Sequence, residues 1–160
     1  LERVRRSHPA ARLTMAGPDK GARVEVEDEV ARRGLGEHVE LRGFVGPDEK
    51  LALFADHDLF LNTPAVDNRP VCLVEAGASG LVIVSTDAGG IPALVAGGES
   101  AMLAPVDDAD ALADAVVEVL DDPDLARRLS RGGLAVAGEG RPARVLTRWN
   151  DLLDDLLPAR

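Results

Sequence analysis

DNRPVCLVEAGASGLVIVSTDAGG, residues 67–90, is the stretch whose reading decides the fold. Asp67 and Glu75 stand with seven residues between them. Pro70 suits a first helical turn, because its missing N–H would lack a partner there in any case. Glu75 then lies on that helix, and Asp67 sits just before it, beside the unpaired N–H groups of the helix start. Gly80 ends the turn. Leu81-Val82-Ile83-Val84 follows as an unbroken apolar run, the mark of a strand covered on both faces. Ser85 to Gly90 then make a polar loop at the strand's carboxyl end, where open α/β sheets bind ligands.

Outward from this stretch the chain alternates strands and helices. Leu1 to His8 reads as the last turns of a helix stopped before Pro9. Arg12 to Ala16 reads as a strand ended by Gly17-Pro18. Asp19 caps a helix in which Ala22, Val26 and Val30 recur every fourth residue. Val39-Glu40-Leu41 is a strand, Pro47-Asp48-Glu49 opens a helix, and Leu59-Phe60-Leu61 is a strand. Beyond Gly90, Ile91 to Val95 forms a short helix and Ala101-Met102-Leu103 a last strand. Asp107 or Asp108 caps a helix with Leu112, Val116, Val119 and Leu120 on one stripe. A helix from Asp124 to Val136 follows, and then a terminal one striped by Val145, Trp149, Leu152 and Leu156. Such alternation predicts a Rossmann-like parallel α/β sheet with helices on both faces.

Composition narrows the function. The 160 residues are 46% hydrophobic and contain no tyrosine, so Val, Leu and Ala must build the core. The net charge of −10 argues against nucleic acid and anionic membrane surfaces as partners. An anionic ligand stays open, because backbone amides bind phosphate on an acidic protein too. Cys72 is the only cysteine, which excludes an intramolecular disulfide and a cysteine metal cluster; it reads as a small buried hydrophobe. No apolar run reaches membrane-spanning length. Asp56-His57-Asp58 has the form of a metal–diphosphate motif, but it precedes a strand and so falls at the amino end of the sheet. Asp108–Asp110 and Asp122–Asp124 repeat the pattern at helix caps, and all three read as structural. His8, His38 and His57 lack metal spacing and read as surface residues.

From Asp58 to Val95 the sequence resembles the donor-binding half of retaining glycosyltransferases of family 4. That family carries Glu, seven residues, Glu, within a pattern like "PS…E-G-x-P…EAMA-G-PVV-T…GG-I-E-V". Asp67 stands at the first Glu and Glu75 at the second, and Ala76, Gly80, Val84, Thr86, Gly89 and Gly90 match as well. Leu13 to Gly17 is similar to "L-x-I-x-G", Val39 to Val45 to "V-x-F-x-G-x-V", and Ala101 to Asp121 to the later "G-x-L-V…D…L-A-x-A-I" segment. Three departures stand out. Asp67 is one methylene shorter than Glu. Gly77 and Val82 replace the usual Met and Pro, as packing changes. The strand with Gly-Arg and Lys-Gly that grips the donor diphosphate belongs just ahead of Leu1.

The resemblance implies a two-Rossmann-domain (GT-B type) enzyme of which residues 1–160 are the second, donor-binding half. They are expected to form one truncated nucleotide-sugar-binding domain without its first strand, with carboxy-terminal helices over about 124–157. A sugar would pass from a nucleotide-diphosphate sugar to an acceptor hydroxyl with retention, and no cofactor or metal would be required. A sugar, lipid or other hydroxyl acceptor would be bound mainly by a missing amino-terminal domain. Any peripheral membrane contact would come through that domain too, in the cytoplasm or at the inner face of the membrane. The 160 residues alone are expected to be inactive. Asp67 and Glu75 are the candidate catalytic-site carboxylates, with the sugar hydroxyls on Asp67 and the ribose hydroxyls on Glu75. An eight-residue helical rise spans roughly 12 Å, too far for the paired acids of a glycosidase, which stand about 5–9.5 Å apart. Asn68, Arg69, Pro70, Val71 and Cys72 form the expected diphosphate-facing helix start, with Val71 and Cys72 as N–H donors. Arg69 reads equally as a solvated surface residue. Gly17, Gly43 and Val45 are either base-packing backbone or turn residues, and Gly89 and Gly90 either a tight loop near the sugar or a helix-entry turn. Two other readings remain open: a non-catalytic nucleotide-sugar-binding or regulatory module, and a nucleotide-sugar epimerase of similar architecture.

Overall fold

The computed structural model describes residues 1–157; the last three residues of the expected domain lie outside them. The chain alternates helix and strand as the sequence predicts. In order it runs α1 (Glu2–Ser7), β1 (Leu13–Ala16), α2 (Arg23–Arg32), β2 (Val39–Gly43), α3 (Pro47–Asp56), β3 (Leu59–Asn62) and α4 (Val71–Ala78). It continues through β4 (Val82–Thr86), α5 (Ile91–Leu94), β5 (Met102–Ala104), α6 (Ala109–Asp121), α7 (Pro123–Glu139) and α8 (Pro142–Leu156). Every strand pairing is parallel.

Among the described residues the strands form two groups rather than one continuous sheet: β1 pairs only with β2, and β3, β4 and β5 pair in that order. The two groups stand side by side, because His57 at the entrance to β3 reaches Thr14 of β1 at 2.9 Å. His57 Nδ1 lies 2.7 Å from the Leu53 carbonyl, which can only accept. In the neutral ring Nδ1–H therefore donates there, and Nε2 accepts from the Thr14 hydroxyl. His57 is thus a half-buried tie between the groups, not the surface histidine read from the sequence.

β4 is the axis of the larger sheet, and all five of its residues are buried. Its side chains alternate between faces. Ile83 joins Leu73, Ala76, Ile91 and Phe54 on the side of α3, α4 and α5. Val84 meets Val4, Ala115 and Val116 on the side of α1 and α6, and Val82 meets Val119, Leu125 and Leu129. Helices therefore cover both faces of this sheet. β4 also runs on through Ser85 and Thr86, which the sequence assigns to a polar loop; pairing of Ser85 with Leu103 and Thr86 with Ala104 keeps them in the ladder.

α4 crosses α7 at two glycines. A Cβ on Gly77 would stand 2.6 Å from the Gly133 carbonyl oxygen, so the Gly at the usual Met position is what lets the helix backbones touch. Local signals set several helix starts: Asp108 accepts from the Ala111 N–H and Asp122 from those of Asp124 and Leu125. Asp19 holds the start of α2 from further upstream, accepting from Gly21 and Arg23 N–H at 2.7 and 3.2 Å. The four-residue spacing on α2 marks its inward side only in part: Val26 and Val30 are half-buried, Ala22 is exposed, and no residue of α2 is fully buried. On α8 the stripe leaves Val145, Trp149, Leu152 and Leu156 exposed.

Candidate functional site

The carboxyl edge of β3 and β4 gathers the segment from Asp67 to Gly90. β3 ends at Asn62 and a loop leads to Pro70, which is the N-cap of α4 rather than its first residue. Only the second half of the Asp67–Glu75 interval is therefore helical, and the 12 Å expected from a continuous helix does not apply. Asp67, Asn68 and Arg69 are loop residues. Pro70 is buried and anchors the start of α4, while Val71 is exposed.

One backbone hydrogen bond and two close backbone approaches lock that loop onto the one after β4. The Gly90 N–H donates to the Asp67 carbonyl at 3.0 Å. Gly89 has a φ of 51°, and a Cβ there would lie 2.2 Å from the same carbonyl oxygen. A Cβ on Gly90 would lie 2.1 Å from the Asn68 carbonyl oxygen. The two glycines are thus required by the close approach of two chain segments. The structure brings four candidate residues, Asp67, Asn68, Gly89 and Gly90, into one platform.

Beneath the platform lies a polar chain absent from the sequence reading. Asn62 donates to the Ser85 hydroxyl at 3.2 Å, and the Cys72 thiol donates to the Asn62 side-chain oxygen at 3.8 Å. Ser85 donates to the Thr86 carbonyl and Thr86 to that of Pro64, at 3.1 and 2.7 Å. These bonds tie the ends of β3 and β4 to the first turn of α4. Their one sequence signal is that Ser85 and Thr86 interrupt an apolar run. Burial pushes the Cys72 thiol above the usual thiol range, and the nearby carboxylates of Asp67 and Glu75 push the same way. A thiol kept protonated packs and donates weakly; Cys72 is half-buried rather than the fully buried residue read from the sequence.

Glu75 lies one turn along α4, half-buried, and Lys50 of α3 reaches it with Nζ 2.6 Å from Oε1. Lys50 is a member of the site that the sequence does not reveal, being 25 residues from its partner. Gly17 and Gly43 come together at the carboxyl end of the other strand pair, where the Gly17 N–H donates to the Gly43 carbonyl at 2.7 Å. Val45 follows on the loop into α3, the helix that supplies Lys50. Asp56-His57-Asp58 runs from the last residue of α3 to the entrance of β3, at the amino end of the sheet and away from this edge. Among the described residues no cluster of His, Cys, Asp and Glu could hold a metal ion, and no helix is long and apolar enough to cross a membrane.

Against known families, residues 1–122 match the profile of Glycosyl transferases group 1. The glycogen synthase of Mycobacterium tuberculosis is 30% identical over 132 residues, which cover 82% of this chain and 31% of that protein. The lipopolysaccharide core biosynthesis mannosyltransferase LpsB of Rhizobium meliloti is 32% identical over 126 residues, covering 74% and 34%. The chain spans between 21% and 34% of the length of the curated relatives it matches. Sucrose-phosphate synthase from Thermosynechococcus elongatus shares the fold at a TM-score of 0.83 and 22% identity, over 99% of this chain and 42% of that one. Alr3699/HepE of Anabaena, solved in complex with UDP-glucose, does so at 0.79 and 23%, over 92% and 41%. The C-terminal domain of a Francisella tularensis group 1 family protein, LpcC, does so at 0.69 and 15%, over 86% of this chain and 90% of that domain.

Proposed function

This chain belongs to the group 1 glycosyl transferases, and on that premise we propose that it is the donor-binding half of a retaining enzyme that moves a sugar from a nucleotide diphosphate to an acceptor hydroxyl. The observation that carries this reading is the platform at the carboxyl edge, where the Asp67–Asn68 loop is locked onto Gly89–Gly90 beside the start of α4. An open α/β sheet binds ligands at that edge. The first-turn N–H groups of Val71 and Cys72 suit the diphosphate, Glu75 the ribose hydroxyls and Asp67 the sugar hydroxyls. Asn68 and Arg69 border the diphosphate, and Gly17, Gly43 and Val45 border the base. That Alr3699/HepE has been solved with UDP-glucose favours a nucleotide sugar as donor.

Further support comes from the two strand groups. β1 and β3 each leave one edge unpaired while His57 and Thr14 hold them close. An additional parallel strand between them would complete a single sheet. The acceptor, the transferase activity of the whole protein and a cytoplasmic site of action, where nucleotide sugars are made, belong to the same proposal. Titrating UDP-, GDP- and ADP-sugars against wild type and Glu75→Ala tests it. One donor should bind wild type and lose about a hundredfold or more in affinity to the variant, as expected for two lost charge-assisted hydrogen bonds of roughly 1.5–3 kcal/mol each. Unchanged affinity would remove Glu75 from the site.

A further inference from the structure

Glu75 can serve a ribose only if its carboxylate presents a free oxygen in a fixed direction. Lys50 governs both conditions. It stands in the first turn of α3, where its own N–H donates to Gly46 at 2.9 Å. Its Nζ meets Glu75 Oε1 at 2.6 Å. The two side chains are 35% and 37% exposed, so the pair lies at the rim, where a ligand can still reach the carboxylate. Among the described residues Oε2 of Glu75 has no hydrogen-bond partner.

The choice of cation matters here. The chain carries sixteen arginines and only two lysines, and one of the two is at this position. An ammonium is a compact point charge that engages a single oxygen, whereas a guanidinium presents a planar fork that grips both oxygens of a carboxylate. An arginine at 50 would fill both acceptors of Glu75; lysine fills one. The bond to Oε1 stops the carboxylate rotating about its last torsion, which is otherwise broad.

We propose that Lys50 is a positioning residue for donor recognition: it pins Glu75 through Oε1 and leaves Oε2 aimed at the vicinal hydroxyls of a ribonucleotide. This rests on the donor-binding reading of Glu75 given above. Lys50 touches no reacting atom. Its effect is confined to the ribose, and an arginine does not substitute for it.

Calorimetric titration of the intact protein with UDP, GDP and ADP, each beside its 2′,3′-dideoxy counterpart, tests this. Wild type should prefer the ribonucleotide to the dideoxy form, and Glu75→Ala should abolish the preference. Lys50→Met should weaken the ribonucleotide about tenfold, the worth of one charge-assisted contact, and leave the dideoxy form unchanged. Lys50→Arg should stay as weak as Lys50→Met although the charge is kept. With a turnover assay the loss should fall on donor KM and spare kcat. Equal weakening of both nucleotide forms would show a merely structural salt bridge and overturn the proposal. So would unchanged binding by Lys50→Met, or full recovery in Lys50→Arg. If Lys50→Met keeps the ribose preference that Glu75→Ala loses, this inference fails and the donor reading stands. If wild type binds none of the three diphosphates, both fall.

Discussion

Substituting alanine for Gly90 isolates the contact on which the site depends. Gly90 has φ −91° and ψ 2°, a conformation open to alanine, so backbone strain contributes nothing. The whole effect is the added methyl, which would sit 2.1 Å from the Asn68 carbonyl oxygen and 2.6 Å from its side-chain oxygen. Real Cβ contacts stay beyond 3.0 Å, so the two loops must part by about 0.9 Å, a displacement in the range of ordinary overpacking. Parting them also stretches the 3.0 Å bond from the Gly90 N–H to Asp67. Overpacking of about 1–3 kcal/mol and a lost hydrogen bond of about 0.5–1.5 kcal/mol together give about 2–4 kcal/mol. For a chain of this size that lowers Tm by roughly 5–15 °C. Thermal unfolding by circular dichroism reads the loss. Gly36→Ala is the control, since a Cβ there meets nothing within 4 Å and no left-handed φ stands in its way. Donor titration reads the second consequence, a weaker Kd as Asp67 and Asn68 shift. Melting of Gly90→Ala within about 1 °C of wild type, with unaltered donor affinity, would refute the locked platform.

Gly77→Ala should destabilise by about 1–2 kcal/mol in urea, because overpacking against Gly133 exceeds the helix-propensity gain of about 1 kcal/mol; a gain in stability would show that α4 and α7 do not touch. The Cys72 thiol is held above its ordinary range by burial, so it should react with iodoacetamide at pH 8 more slowly than a free thiol. In the unfolded chain this thiol ionises first. Stability should therefore fall as pH rises past the ordinary thiol range, and Cys72→Ala should flatten that slope in urea titrations between pH 7 and 10.

Much of the site was legible because its signals are local. Pro70 and the acids at 67 and 75 announced a loop feeding a helix, the Leu81–Val84 run announced a doubly covered strand, and Asp108 and Asp122 announced their caps. What stayed hidden joins residues far apart in the chain. Nothing near Lys50 points to Glu75, nothing near Gly77 to Gly133, and nothing near Thr14 to His57. The spacing on α2 and α8 is periodic, yet periodicity names a face without naming what covers it; α2 and α8 have no fully buried residue. Ser85 and Thr86 belong to β4 and not to the loop, because strand membership there is conferred by pairing with β5 and not by their own polar side chains.

By itself the sequence determined the order of elements, the parallel α/β class and the loop–helix–strand course of residues 67–90, since backbone preference, hydrophobic period and helix capping act over a few residues. The tertiary structure alone decided that the strands divide into two groups, that Gly89 and Gly90 are glycines because Asp67 and Asn68 press against them, and that Glu75 is held by a lysine on the preceding helix. The last two are contacts across 20 or more residues, set by where packing brings two segments together. A local pattern holds no record of that meeting.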